Sequence, residues 1–187
     1  KVDEKEREVF QRLCRIVGLP DGTADRIADT MAQAAVDGDD DAPLLPLTLD
    51  QLAWLGVDAA TIEQLRPFAA VLPGTTGVNV NTASREVIAA AIPGLDLGGA
   101  ERLVQRRMRT PYKSVDEVMK DLPDGLTPPP EKRLNVGSRF FEVIGRLRLD
   151  ERVFEERSIV ERRPADKGGE IVPVLRERRS IAPGTLD

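Results

Sequence analysis

Val78-Asn79-Val80-Asn81-Thr82-Ala83-Ser84-Arg85-Glu86-Val87-Ile88, continuing through Ile92-Pro93-Gly94-Leu95 to Ala100, is the stretch on which the fold turns. A short extended lead runs into a helix capped by Asn81 or Thr82, with Val87, Ile88 and Ala91 on one face. Pro93-Gly94 turns the chain, because proline presets its own φ and glycine tolerates the reversed backbone that follows. A second helix is expected from Gly98 to Arg109, with Leu103, Val104 and Met108 apolar and Arg102, Arg106, Arg107 and Arg109 exposed.

On either side the sequence continues to write helix starts. Thr48-Leu49-Asp50-Gln51 and Ser114-Val115-Asp116-Glu117 have the form of capping boxes, and Thr61-Ile62-Glu63-Gln64 repeats the device. Helices as short as those after Thr48 and Thr61 do not stand alone in water, so they belong with the hairpin. The resulting helical domain is expected over residues 48–130, where Pro128-Pro129-Pro130 ends it for want of amide donors.

Before it, residues 1–47 carry two amphipathic helices. Phe10, Leu13, Cys14 and Val17 recur at i, i+3, i+4 and i+7 on the first, and Thr23 caps a second with Ile27, Met31 and Ala34 or Ala35 inward. Packing is the plain reading of both stripes; the first helix, with Phe10, Leu13 and Val17, is the better candidate for a partner surface. The run Asp37-Gly38-Asp39-Asp40-Asp41 then reads as a solvated acidic linker or as a calcium site built from Asp37, Asp39, Asp40 and Asp41, although its spacing does not match a twelve-residue helix-loop-helix calcium loop. After Pro130 the period changes from 3.6 to 2. Phe141, Val143, Leu147 and Leu149 alternate with Glu142, Arg146 and Arg148, Asp150-Glu151 turns, Phe154 to Arg162 alternates again, and Gly168-Gly169 leads to Ile171-Val172-Pro173-Val174-Leu175. Residues 131–187 are therefore expected to form an antiparallel meander with Pro173 on an edge strand, whose apolar face the N-terminal helix would cover.

Composition narrows the chemistry. Of 187 residues 41% are hydrophobic and 32% charged, with 27 Lys/Arg against 32 Asp/Glu, net charge −5 and pI about 5.0. Overall attraction to nucleic acid or anionic lipid is not expected. There is no histidine, which removes the commonest acid-base and transition-metal ligand, so catalysis by those routes is not expected. The single cysteine, Cys14, makes no internal disulfide and sits in an apolar stripe. No apolar run reaches the roughly 18 residues needed to span a bilayer.

The hairpin resembles a helix-hairpin-helix, which grips phosphate with backbone amides at a helix N-terminus. Ile92-Pro93-Gly94-Leu95-Asp96-Leu97-Gly98-Gly99-Ala100 aligns with that pattern, but Asp96 replaces its second glycine and sets a carboxylate where phosphate would approach. DNA binding through Gly94, Arg102 and Arg106 is the alternative reading.

Taken whole, the order of parts is more specific. The stripe helix, the segment Val78-Asn79-Val80-Asn81-Thr82-Ala83-Ser84 with Pro93-Gly94-Leu95, then Pro111-Tyr112-Lys113-Ser114-Val115-Asp116-Glu117 and Leu134-Asn135-Val136-Gly137-Ser138-Arg139-Phe140-Phe141-Glu142-Val143 resemble the minor pseudopilin K (GspK) family of the bacterial type II secretion system. The resemblance implies an α+β pseudopilin fold, an N-terminal helix on an antiparallel sheet with an all-α domain inserted between them. It also implies a non-enzymatic subunit at the tip of the periplasmic pseudopilus, held in the inner membrane by a helix upstream of Lys1. The implied partners are the minor pseudopilins I and J, the secretin and secreted cargo. Calcium is bound in the family, but the Trp-x-Asp-x-Asp and Gly-Ala-Glu-Asp-Tyr segments that accompany it are missing here, and no cofactor is otherwise required.

Overall fold

Asp3 starts the first helix by accepting a hydrogen bond from the Lys5 amide at 2.9 Å, and α1 runs Glu4–Ile16. Its two N-terminal glutamates and C-terminal Arg15 complement the helix dipole. The computed structural model describes residues 3–35, 44–150, 152–163 and 169–181. The chain is α+β and divides into two units, Lys1–Gly137 and Ser138–Asp187.

The first unit is helical. After α1 come α2 (Thr23–Ala34), a 3₁₀ turn (Asp50–Leu55), α3 (Ala59–Leu65), the two-residue strand β1 (Val78–Asn79), α4 (Arg85–Ala91), α5 (Leu97–Arg109), α6 (Val115–Lys120) and β2 (Leu134–Asn135). β1 and β2 pair in parallel, Val78 opposite Leu134 and Asn79 opposite Asn135. One buried cluster gathers Val80, Ile88, Ala89, Ala91, Ile92, Leu95, Ala100, Leu103, Tyr112, Val118 and Leu134 around α4. A second gathers Cys14, Leu19, Ala24, Ile27, Leu49, Leu52, Ile62 and Leu65 between α1, α2 and α3. α4 is buried on all sides from Ile88 to Ile92; its three consecutive alanines allow α1 and α5 to approach closely. Removing side chains such as Ile88, Ile92 and Leu103 from water contributes roughly 1.5–3 kcal/mol apiece.

The sequence pattern assigns the stripe of the first helix to the sheet, and the structure corrects this. α1 packs on α2 and α4: Leu13 and Cys14 are buried, Phe10 and Val17 lean on the same cluster as Cys14, and Ile16 reaches the cluster around α4. The physical reason is local. Arg12 Nε donates to the Ala90 carbonyl at 2.8 Å, Arg7 pairs with Asp25 and Asp29, and Gln11 donates to Asp25, so polar contacts flank the apolar stripe and seat it inside the helical unit.

Several helix starts also shift. α2 begins at Thr23 behind Gly22, which is left-handed at φ 76°, rather than being capped by Thr23. α3 is capped by Asp58, which accepts from the Thr61 amide and hydroxyl, so Thr61 lies in its first turn. α4 is capped by Ser84, not Asn81 or Thr82. For α3 and α4 two polar residues stand close together, and the one whose extended backbone aims its oxygen at the N3 amide takes the cap. The Ser114 cap forms as expected, its hydroxyl accepting from Glu117, whose carboxylate accepts from the amide of Lys113, one residue upstream of the cap itself. The Thr48 device forms in the same way, with Gln51 reaching Leu47, but opens a 3₁₀ turn.

The second unit is the expected antiparallel meander, β3 (Phe140–Leu149), β4 (Arg152–Arg162) and β5 (Ile171–Ile181), in the order β3-β4-β5. Asp150 enters the first turn at φ 53°; Glu151 and Gly168 lie outside the described residues. Pro173 falls on the edge strand β5, beside a bulge at Ile159/Val160 of β4. β5 extends to Ile181, well past Leu175, because Arg176, Arg178 and Arg179 find carboxylates on β4. Glu155, on the central strand, is only 3% exposed, held between Arg146 Nε at 2.8 Å and Arg179 at 2.6 Å. Those two guanidiniums keep its carboxyl below the usual glutamate range.

Candidate functional site

A tight turn through Pro93 and Gly94 joins α4 to α5. Gly94 takes φ 81°, a conformation that favours glycine, and a Cβ there would press on the end of the Leu126 side chain at 3.0 Å. Asp96 caps α5, its Oδ1 accepting from the Gly99 amide at 2.6 Å. The seat that a phosphate would take in a nucleic-acid-binding hairpin is thus filled by the chain's own carboxylate. Gly99 is tight in turn, since a Cβ there would come within 2.5 Å of Leu95.

Two of the four arginines of α5 are engaged. Arg106 donates to the Thr110 carbonyl, pairs with Asp121 at 3.1 Å and lies 4.3 Å over the Tyr112 ring. Arg107 donates to the carbonyls of Val80 and Ala83, and its burial lowers its pKa. Arg102 is exposed, but with Arg106 engaged by Thr110, Asp121 and Tyr112 and Asp96 on the cap, Gly94, Arg102 and Arg106 do not converge on an anion seat. Nothing in this geometry supports the DNA-binding reading.

The residue that holds the unit closed is Asn81. Its Nδ2 donates to the carbonyls of Tyr112 and Val136, both at 2.9 Å, while its Oδ1 accepts from the Tyr112 amide at 2.9 Å. One side chain thereby joins the end of β1, the loop before α6 and the end of β2. An asparagine is needed because only an amide both donates and accepts at these positions. Tyr112 is itself buried, and its hydroxyl donates to Asp121 at 2.9 Å; burial pushes its pKa well above the ordinary tyrosine value.

Of the other expected site residues, Phe10, Leu13 and Val17 contribute to the unit's own core, so a charge at buried Leu13 would break the fold before it reached a partner. Asp37, Asp39, Asp40 and Asp41 lie outside the described residues. Among the described residues no three acidic or cysteine side chains cluster as a metal site, and no helix is long and apolar enough to cross a membrane. Cys14 is buried, its thiol pushed up to about 11 by desolvation.

Residues 78–136 match the family described as Type II secretion system (T2SS), protein K. The matched segment starts on β1 and ends one residue past β2, the two strands that Asn81 holds together. A longer comparison extends it: the chain is 32% identical over 149 residues, 73% of its length, to the type II secretion system protein K of Pseudomonas aeruginosa PAO1. The chain belongs to the type II secretion system protein K family. It spans 44% of that relative's length. The family's matched core is therefore the α4-α5-α6 module closed by the β1/β2 pair, and neither α1 nor the meander falls within it.

Proposed function

We propose that this chain is the periplasmic part of a non-enzymatic subunit at the tip of the type II secretion pseudopilus, where it binds the minor pseudopilins I and J and helps start the filament. The observation that carries the reading is the family match over the module closed by β1 and β2. Two features of the chain support it. The phosphate seat of the hairpin is filled by Asp96, leaving the module a structural role. The helical unit also begins and ends in one place: buried Arg133, just before β2, pairs with Glu6 at 2.8 Å and donates to the Lys5 carbonyl of α1 at 3.2 Å. A unit whose ends adjoin can be carried on a larger protein without distorting it.

The test is gel filtration of the purified chain with soluble domains of pseudopilins I and J. A complex of all three is expected. Separate elution at micromolar concentrations, or binding to duplex DNA that weakens as salt is added, would overturn the proposal.

A further inference from the structure

β3 is an edge strand with the composition of an interior one. Its run Phe-Phe-Glu-Val-Ile-Gly-Arg-Leu-Arg-Leu is ten residues long, and apolar side chains stand exposed on both of its faces, Val143 (51%) and Leu147 (67%) on one and Ile144 (51%) on the other. The opposite edge is protected: β5 carries Pro173, which has no amide to donate, and then Arg176, Glu177, Arg178 and Arg179. β3 has no proline and no bulge.

The direction of its free backbone groups follows from the ladder. Arg162 donates its amide to the Arg139 carbonyl at 2.8 Å, one step beyond the Phe140–Glu161 pair, so the odd-numbered residues of β3 face β4 and the even-numbered ones face outward. A second strand can add only where its own outward groups oppose residues 140, 142, 144, 146 and 148. When the added strand is another β3 running antiparallel, even residues must face even residues, which leaves registers centred on single residues. Centring on Gly145 sets Phe141 against Leu149, Val143 against Leu147, and Glu142 against Arg148, each twice by symmetry. Centring one residue later would oppose Arg146 to itself and Glu142 to Asp150. Centring one residue earlier would direct Glu142 to Arg146, which already holds Glu155. Arg148 by contrast donates to the Asp150 carbonyl and is given no carboxylate among the described residues, so the Gly145 register brings it beside Glu142, which it would share with Arg157 of the same sheet. Gly145 itself falls at a close, non-hydrogen-bonded crossing, where Cα atoms approach to about 4.5 Å.

We infer that the open edge of β3 is a self-association surface, joining two copies of this chain into one continuous six-stranded sheet through antiparallel pairing of residues 141–149 about Gly145. The arrangement is isologous, each copy giving and receiving the same contacts. It is independent of the tip-subunit reading, because it uses only the meander.

Cysteine cross-linking tests the register, and buried Cys14 leaves the background low. A Cβ at Gly145 meets nothing nearer than the Glu156 carbonyl at 4.0 Å, so Gly145→Cys is accommodated. The close crossing lies within the Cα separations that disulfides accept. Under mild oxidation the full chain carrying Gly145→Cys is expected to form covalent dimers about tenfold or more faster than an Asp124→Cys loop control, because pairing raises the effective thiol concentration. Val143→Cys alone is expected to link no faster than the control, but a mixture of Val143→Cys and Leu147→Cys chains should give the heterodimer. Arg148→Glu, which brings two carboxylates together in each pair, should shift sedimentation toward monomer with the circular dichroism unchanged. A chain that stays monomeric over about a hundredfold range of concentration overturns the inference. So does Val143→Cys linking to itself as fast as Gly145→Cys, and so does a strand from a different protein occupying this edge while the purified chain remains single.

Discussion

Replacing Asn81 is the sharpest test of how the helical unit closes. The side chain makes three hydrogen bonds to backbone groups of Tyr112 and Val136. A net value of about 1 kcal/mol for each puts the cost of Asn81→Ala near 3 kcal/mol, with the stranded amide and carbonyls adding to it where water cannot reach. For a unit of this size that is a fall of roughly 10 °C in melting temperature. Asn81→Asp separates the hydrogen bonds from mere volume. The aspartate is nearly isosteric and keeps the acceptor for the Tyr112 amide, but it turns an oxygen toward two carbonyls that the asparagine had been donating to. It should therefore destabilise at neutral pH at least as much as alanine does. Two facing carbonyls raise the folded pKa of the new carboxyl above its unfolded value of about 3.9, so the variant's deficit is full above the folded pKa and shrinks as pH falls through it. Thermal melts followed by far-ultraviolet circular dichroism, at neutral and mildly acid pH, measure both effects. If both variants melt within about 2 °C of the parent at neutral pH, the three-way clip is not what closes β1 on β2.

Asp96→Ala removes the cap of α5 and should lower stability by about 1 kcal/mol in urea denaturation, and Asp96→Gly, which restores the missing glycine, should still give no salt-sensitive retention on duplex DNA. The sole tyrosine offers an optical probe: because the folded pKa of Tyr112 is raised, the stability it contributes is present below its unfolded value of about 10 and is lost as pH rises above it. An ultraviolet titration should find tyrosinate appearing only as the helical circular dichroism disappears, and ionisation near pH 10 in the intact fold would refute the buried Tyr112–Asp121 pair.

What could be read from the sequence depended on the range of the interaction. The hairpin, the Ser114 cap and the alternating strands of the meander are written in neighbouring residues and were legible. The turn at Gly94 follows from its chemistry alone. Asn81 reads locally as a possible cap, because its partners lie 31 and 55 residues away and no local pattern announces a clip of that kind. Asp96 is legible as an obstacle to phosphate but not as the cap of α5, although an aspartate just before an apolar-periodic run is itself a helix-start signal. The stripe of α1 shows the commonest ambiguity: periodicity states that Leu13 and Cys14 need a partner, and it is silent on which one. Contacts such as that of Arg12 with Ala90, across 78 residues, supply the answer only in three dimensions.

The meeting of Arg133 with Lys5 and Glu6 bears on how tension passes through the molecule. A force entering the helical unit at α1 and leaving after β2 crosses that junction first, so the cluster around α4 lies off the line of load. The first bonds to be strained are those of Arg133 and the short β1/β2 pair, and α1 would peel away before α4 or α5 felt any strain. Load can thus pass along one side of the helical unit while the packing around α4 is left undisturbed.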